Sequence, residues 1–586
     1  MEKRVLLAIF LSFVVLYLFQ TVLMKPAPKP VRPKAVPSAS EQAGEAVAGG
    51  QAAAATAPAT TPAAAPHAPA QPGVRPIVGD QAERETVVET QTVRAVFVNR
   101  GARLKSWRLK QYFDANARPL ELVPSAVPPG TVLPFTLRTD DAAVNARLDA
   151  ALFRPSVAGG ATETAIDATK APVTLVFEYQ DAAGLVARKE FAFQPASYAV
   201  SVTATVREAD RRLNPSIAWG PALGDAPAAG SSSRYTQKAE GVLYRSGSVE
   251  RLSAKALEGA PVQEADFRFV GVDDQYFMSV ALAGKVARVE YRPMSIPLAA
   301  PPGQQAPPPH ELVAYSARFA GGAVGIRYFF GPKDFDVLKA VDPELVRVIN
   351  FGVFSFLAVP LLGGLKWINA YVGNYGWSII ILTVLINVAI FPLRHKSVVS
   401  MRKLQELQPE IKAIQDRYGK LKTTDPARQK MNAEMMNLYR ERGVNPASGC
   451  IPMLLTIPVL FAFYSLLSQA IEIRGAPFAL WIKDLSMHDP LYVTPILMGI
   501  TMVWQQKLTP TSVDPAQQKM MMFMPVMFTF FFLWAPSGLV LYWLVSNLLA
   551  IAQQYVTNQI VGPPAVRTVR PPAERRVKKA GSGKTA

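Results

Sequence analysis

Four runs in the C-terminal 240 or so residues, Trp377–Leu393, Ile451–Ala470, Leu491–Trp504 and Met520–Tyr555, contain no Asp, Glu, Lys or Arg at all. Runs of this kind cross lipid as helices, because hydrocarbon leaves no other way to satisfy the backbone. The last run is cut by Ala535-Pro536-Ser537-Gly538, where a helix breaks, so it is read as two spans. Another apolar run, Val5 to Met24, follows Met1-Glu2-Lys3-Arg4. It ends in Met24-Lys25-Pro26 without an Ala-x-Ala site, so it is read as an uncleaved signal-anchor helix at 1–24, a cleaved signal being the alternative.

Charge bias sets the topology. Residues 394–442 hold 12 Lys/Arg against six acids, and the tail after Gly562 holds seven against one. Both are expected in the cytoplasm, as is Lys3-Arg4. One crossing at 5–24 then places the middle of the chain in the periplasm, and one at 377–393 returns it. Val346–Trp367, interrupted by Pro360 and Gly363-Gly364, breaks this parity if it crosses, so 343–370 is read as an interfacial amphipathic helix. Spans at about 374–393, 450–470, 490–507, 519–534 and 538–557 make six crossings in all, with both termini inside.

Between the first two spans lie two further regions. Residues 25–78 alternate Pro and Ala and bury too little to fold, which reads as a disordered linker. Residues 79–335 switch to period two. Thr92–Val98, Val173–Tyr179, Tyr198–Val206, Phe267–Val270, Tyr276–Ala281 and Leu312–Phe319 are strand candidates separated by Pro/Gly turns, with no interleaved amphipathic helices. An all-β sandwich is expected.

Composition narrows the chemistry. The 62 basic and 44 acidic residues leave +18, which favours an anionic partner such as nucleic acid, ribosome or lipid headgroups. Half the residues are hydrophobic and 18% charged, unlike a soluble nucleic-acid binder. The single cysteine, Cys450, and four scattered histidines exclude a disulfide framework and a local Cys/His zinc cluster. Gly581-Ser582-Gly583-Lys584-Thr585 imitates the end of a P-loop, but position 578 is Lys where that loop needs Gly. No catalytic motif stands out, so neither an enzyme activity nor a cofactor or metal is expected. The charge-free spans argue against an ion-coupled transporter.

What the spans carry is neutral and polar: Thr383 and Asn387 on one helical face, then Thr456, Gln505, Ser546 and Asn547. Each alone is explained by interhelical hydrogen bonding, and together they could line a wet groove. The span at 520–534 is about 22 Å long against a core of about 30 Å, which thins the adjacent bilayer unless aromatic flanks absorb the mismatch. In 397–442, Met401, Leu404, Leu407, Ile411, Ile414 and Tyr418 recur at helical spacing, followed by Met431, Met435 and Leu438. An antiparallel helical hairpin is expected, kinked near Pro409, with Met401, Leu404, Met431 and Met435 either packing it or offering a hydrophobic partner surface.

These features, together with Val372-Gly373-Asn374-Tyr375-Gly376-Trp377-Ser378, Val444-Asn445-Pro446, Ala476-Pro477-Phe478-Ala479-Leu480-Trp481, Phe523-Met524-Pro525 and Pro536-Ser537-Gly538-Leu539-Val540-Leu541-Tyr542, resemble the YidC–Oxa–Alb family of membrane protein insertases. The form resembled is the Gram-negative one with a large periplasmic domain. The resemblance is specific over about 340–560 and looser over the β region. It implies a non-enzymatic inner-membrane insertase and chaperone. The fold implied is a polytopic α-helical membrane protein of six transmembrane helices, five forming the core 371–560, with a periplasmic supersandwich. Nascent membrane proteins would enter a hydrophilic groove lined by Thr383, Asn387, Thr456, Gln505, Tyr542, Trp543, Ser546 and Asn547, alone or beside the Sec translocon. The cytoplasmic hairpin would receive clients. The basic tail 561–586, through Arg575, Arg576, Lys578 and Lys579, would touch the ribosome, with the signal-recognition-particle receptor a further partner and a monomer the working unit. The family's groove carries a positive residue in the first core span, and aligning Ser378–Leu393 puts Asn387 there. Rival readings are a transporter or lipid-handling protein with a periplasmic binding module, and a plain anchor for the β region.

Overall fold

The computed structural model describes residues 76–561 apart from 115–116, 125–126, 128–129, 158–163, 222, 224–237, 297–308, 419–426, 445–450 and 509–514. The expected N-terminal helix, most of the linker and the basic tail lie outside the described residues. Strand pairing begins earlier than expected: Pro76–Val78, read above as linker, is a three-residue strand paired with Gln180 and Asp181.

Among the described residues the β region holds a 14-stranded and a 5-stranded sheet. All six strand candidates coincide with observed strands, at Val93–Val98, Val173–Asp181, Ala199–Glu208, Val262–Asp273, Phe277–Ile296 and His310–Phe319, except that Thr92, Tyr198 and Tyr276 lie one residue before theirs. Leu185–Phe193 shows the rule that builds them. Leu185, Ala187, Phe191 and Phe193 point inward while Val186, Arg188 and Glu190 face out, because successive side chains alternate across a strand. The inward rings interlock, Phe97 on Phe191 at 4.7 Å and Trp219 on Phe330 at 4.5 Å, each buried ring contributing about 1.5–3 kcal/mol. Trp107, in the smaller sheet, donates its indole N–H to the Phe330 carbonyl of the larger one at 2.9 Å.

One inward position breaks the apolar pattern. Lys189 is buried in the sheet, and its ammonium donates to the carbonyls of Gly101 (2.7 Å), Ala102 (3.0 Å) and Phe135 (2.7 Å). Three acceptors match the three donors of an ammonium. Burial pushes its pKa well below the lysine range, and the acceptors oppose loss of the proton.

Helices are numbered in chain order. Three short ones, α1 (Ala142–Ala150), α2 (Ala254–Gly259) and α3 (Phe335–Val341), decorate the β region. Then follow α4 (Ser355–Val372), α5 (Tyr375–Glu406), α6 (Gln408–Tyr418), α7 (Ala427–Glu441), α8 (Ile451–Gln469), α9 (Val493–Leu508), α10 (Pro515–Phe532) and α11 (Ser537–Val561). By length and composition, Gly352–Val372, Tyr375–Glu406 and Ser537–Ile560 are long and apolar enough to cross a membrane, and Ile457–Gln469 and Met521–Phe532 are shorter apolar helices. The helix breaks at 533–536, ending at Pro536, and Ser537-Gly538, expected within the break, already belong to α11.

Two residues make the sharp turn between α4 and α5. Gly373 takes the left-handed conformation (φ +68°) that ends α4, a geometry glycine adopts freely. Asn374 caps α5 by accepting from the Trp377 N–H at 3.2 Å. Pro392 sits inside α5 without ending it, so the helix runs on past the apolar run and stops only before Pro409. The hairpin is therefore built differently from expectation. Met401 and Leu404 lie on α5 itself, whereas Met431 and Met435 lie on α7, which pairs with α6 through Arg442–Glu410 (3.0 Å) and a Tyr418 hydroxyl donating to Glu434 (2.6 Å).

The β region is latched to the helices by charge. Lys366 of α4 pairs with Asp336 (2.5 Å), Glu472 (3.4 Å) and Asp334 (3.7 Å). Gln275 donates to the Ser468 carbonyl at 2.6 Å, and Arg474 lies 5.2 Å from the Phe277 ring.

Candidate intramembrane polar groove

Helix α11 packs against both α5 and α9. The α5–α11 pair runs in parallel: Gly538 abuts Ile379 near one end, and His395 meets Thr557 at 3.3 Å near the other. Two glycines permit close approach elsewhere. A Cβ on Gly376 would stand 2.0 Å from the Phe478 ring, and one on Gly499 2.1 Å from the Thr529 hydroxyl.

A polar ladder climbs one face of α5. The Thr383 hydroxyl donates to the Ile379 carbonyl (2.6 Å), the Asn387 amide donates to the Thr383 carbonyl (2.8 Å), and Arg394 donates through Nη1 to Asn387 Oδ1 (2.8 Å). Asn387 and Arg394 are half-buried, and Thr383 is fully buried. Thr383 thus satisfies its own helix and presents no free hydroxyl. Across from the ladder, Tyr542 stacks on Phe463 at 4.3 Å, its hydroxyl is within hydrogen-bonding reach of Ser546, and the Arg394 charge acts on it.

The other expected groove residues divide. Asn547 is buried and donates to the Met498 carbonyl (3.4 Å) and the Thr501 hydroxyl (3.3 Å), tying α11 to α9. That is the interhelical bonding weighed as its ordinary explanation. Trp543 packs on Phe532 at 4.9 Å and Phe528 at 5.8 Å, holding α10 to α11. Gln505 is half-buried on α9. The Thr456 side chain and Arg575, Arg576, Lys578 and Lys579 lie outside the described residues. The contacts thus join Thr383, Asn387 and Arg394 along α5 and Tyr542 with Ser546 on α11, with the Arg394 charge acting on Tyr542, whereas Trp543 and Asn547 contact α10 and α9.

Arg394 was missed by treating the end of the charge-free run as the end of the span. The signal was present: 387 and 394 lie seven apart, two turns up the same face. Arg402 was missed in the same way. It is buried on the α5 extension and donates to Asn558 of α11, which also accepts from Gln554 at 2.9 Å.

Against the N-terminal end of α11 packs the loop 470–492. Ile482 and Leu485 are buried in it. Its Met487 carbonyl accepts from the Ser537 N–H (2.7 Å) and hydroxyl (2.6 Å), and its Leu485 carbonyl accepts from the Gly538 N–H (2.9 Å). Asp489 anchors the loop to α9, accepting from the Trp481 indole (2.9 Å), the Leu491 N–H (2.9 Å) and the Thr494 N–H and hydroxyl (2.8 Å each). Burial would raise its pKa, but these bonds outweigh it and hold the carboxylate below its usual range. Among the described residues no group of three or more His, Cys, Asp or Glu side chains could hold a metal.

A β-sheet region latched to a bundle of apolar helices, with polar side chains between α5 and α11 and a basic hairpin, defines a polytopic membrane protein. Residues 85–363 match the family described as "YidC periplasmic domain", and residues 367–563 match "60Kd inner membrane protein". The chain is 37% identical to the membrane protein insertase YidC of Geobacter metallireducens over 96% of this chain and 99% of that one. It is 36% identical to that of Syntrophus aciditrophicus over 95% and 100%. Among solved structures, an active YidC insertase with its first transmembrane domain resolved aligns at 20% identity and TM-score 0.33, covering 82% of this chain and 95% of that one. The chain belongs to the YidC family of membrane protein insertases.

Proposed function

We propose that this protein inserts membrane-protein segments into the inner membrane and assists their folding, by giving polar client residues a hydrated path beside lipid. The observation that carries this reading is the polar face of α5 formed by Thr383, Asn387 and Arg394, whose charge acts on Tyr542 of α11, along an apolar run that holds no Asp, Glu, Lys or Arg from 377 to 393. A client residue that would cost several kcal/mol to bury unpaired in hydrocarbon finds partners there. The loop 470–492 would close the periplasmic end and leave the seam open toward the cytoplasm. Six crossings, with both termini cytoplasmic and the β region periplasmic, follow from the Lys/Arg bias, with α4 lying at the interface. The hairpin of α6 and α7, carried on the α5 extension that Arg402 ties to Asn558 of α11, would receive clients. The basic tail would meet the ribosome, and the Sec translocon and the signal-recognition-particle receptor are proposed as cooperating partners, with a monomer as the working unit. No catalysed covalent step is assigned. The test is depletion of the protein followed by profiling of the inner membrane. Loss of a set of multispanning proteins supports the reading, and loss of a transported solute or lipid instead would support a transporter.

A further inference from the structure

We propose that the tip of the loop 470–492, at Leu480, is a lipid anchor that seats in the headgroup–acyl boundary of the periplasmic leaflet and fixes the loop there. The inference rests on α5 crossing the membrane with its N-terminal end periplasmic, and not on the passage of clients.

The conformation of the tip is the first argument. The Ile482 N–H donates to the Ala479 carbonyl at 3.1 Å, closing a turn with Leu480 at its first central position. There Leu480 takes the left-handed conformation (φ +55°), which glycine adopts freely and a bulky side chain does not. This strained leucine is also 86% exposed. The apolar residues that follow it turn inward: Ile482 and Leu485 are buried, and the half-buried Trp481 donates its indole N–H to Asp489 at 2.9 Å. In water neither the backbone nor the side chain of residue 480 favours leucine. An acyl boundary favours it, because the side chain leaves water there.

The level of the tip is the second. The Phe478 ring meets that of Trp377 edge-on at 5.6 Å, and the Phe478 carbonyl accepts from the Asn374 amide at 3.0 Å. Asn374 caps α5 and Trp377 opens its apolar run, so the turn that begins one residue after Phe478 stands level with the outer edge of the hydrocarbon. Other large apolar side chains lie exposed around the same helix ends: Trp377 itself, Tyr371 in the last turn of α4, and Leu491 two residues before α9. Trp and Tyr gather where a spanning helix meets the headgroups. This continuity with the ends of spanning helices selects lipid as the occupant over a soluble protein partner.

The test uses the full-length protein in phosphatidylcholine vesicles, in a Cys450→Ser background, with a fluorophore on a cysteine at the exposed Ala479 and nitroxide-bearing lipids as quenchers. Quenching by a nitroxide near the headgroup is expected to exceed quenching by one deep in the acyl chain. At Leu385, exposed midway along the apolar run of α5, the order is expected to reverse. Leu480→Gly keeps the turn, since glycine suits its conformation. It is expected to lower the ratio of seated to unseated tip about tenfold, the transfer of one leucine side chain from water, while Leu480→Met retains the quenching. Lipid quenching at 385 with none at 479, or quenching at 479 that Leu480→Gly leaves unchanged, overturns the anchor. Silence at both positions refutes the span on which the anchor is built, and the anchor with it. Client insertion is not the readout, so failure of the insertase reading is a separate outcome.

Discussion

Asp489→Ala is the sharpest structural perturbation available outside the seam itself. The substitution removes a buried acceptor that serves four donors: the Trp481 indole, the N–H groups of Leu491 and Thr494, and the Thr494 hydroxyl. A hydrogen bond to a charged group is worth about 1.5–3 kcal/mol, and buried donors left unpaired cost about 1–3 kcal/mol each. The contributions overlap, since water can enter at the exposed Leu491, so a total of about 3–4 kcal/mol is the working figure. The loss is local, because the bonds Asp489 accepts come from the loop and the first turn of α9. Native-state hydrogen exchange is therefore the suitable assay: amides that open locally report the opening free energy of their own segment. Exchange over the peptide 489–497 should accelerate by about two to three orders of magnitude at neutral pH, 1.4 kcal/mol being tenfold. Peptides from the Leu185–Phe193 strand should be unchanged. The carboxylate's pKa is held low, so in the native protein its contribution persists above the usual carboxylate range and disappears as pH falls through the depressed value. Unaltered exchange at 489–497 would refute the claim that Asp489 holds the loop closed.

Other expectations can be checked separately. Glu472 is buried beside Asp334 and Lys366, and burial first, then Asp334, raises its pKa. The protonated form is favoured in the fold, so this contribution is full below the ordinary glutamate value and falls as pH rises through the raised one. Glu472→Gln should flatten the pH dependence of exchange at α3 and α4, and a slope identical to wild type would contradict the assignment. Lys189→Met leaves three carbonyls without their donor and should destabilise the β region by about 2–4 kcal/mol, read as a lower denaturant midpoint for its tryptophan signal. An unchanged midpoint would mean that water replaces the ammonium. Replacing Arg575, Arg576, Lys578 and Lys579 by Ala should reduce ribosome co-sedimentation at low salt, with the difference vanishing as salt rises. In a Cys450→Ser background, cysteines at Ser232 and Thr424 should label from the periplasm and the cytoplasm respectively.

Much of this architecture was legible in the chain because its two signals are strong. Charge-free runs located the cores of α5, α8, α9, α10 and α11, and Pro536 located the break before α11. Period-two alternation located strands such as Val173–Asp181. Failures came where one residue contradicts its surroundings and only tertiary contacts resolve it. Lys189 sits at an inward strand position that its type argues against, and the three carbonyls that accept it lie 54 to 88 residues away. Pro392 should weaken α5, yet packing on α11 carries the helix through to Glu406. The groove was half legible. Thr383 and Asn387 were correctly placed on one face, but whether a neutral polar residue lines a seam or staples two helices depends on its neighbour. Asn547 has Thr501 to bond, whereas Asn387 has Arg394.

The account stands or falls on whether a client passes along the α5–α11 seam. The direct measurement is site-specific photo-crosslinking from the full-length protein to a ribosome-stalled nascent membrane protein, with probes at Asn387, Ser546 and, as a control on the exposed face of α10, Val526. Crosslinks are expected from 387 and 546 as the client's polar segment passes, and little or none from 526 at that stage. Crosslinks from 526 alone, with 387 and 546 silent at every stalled length, would contradict it.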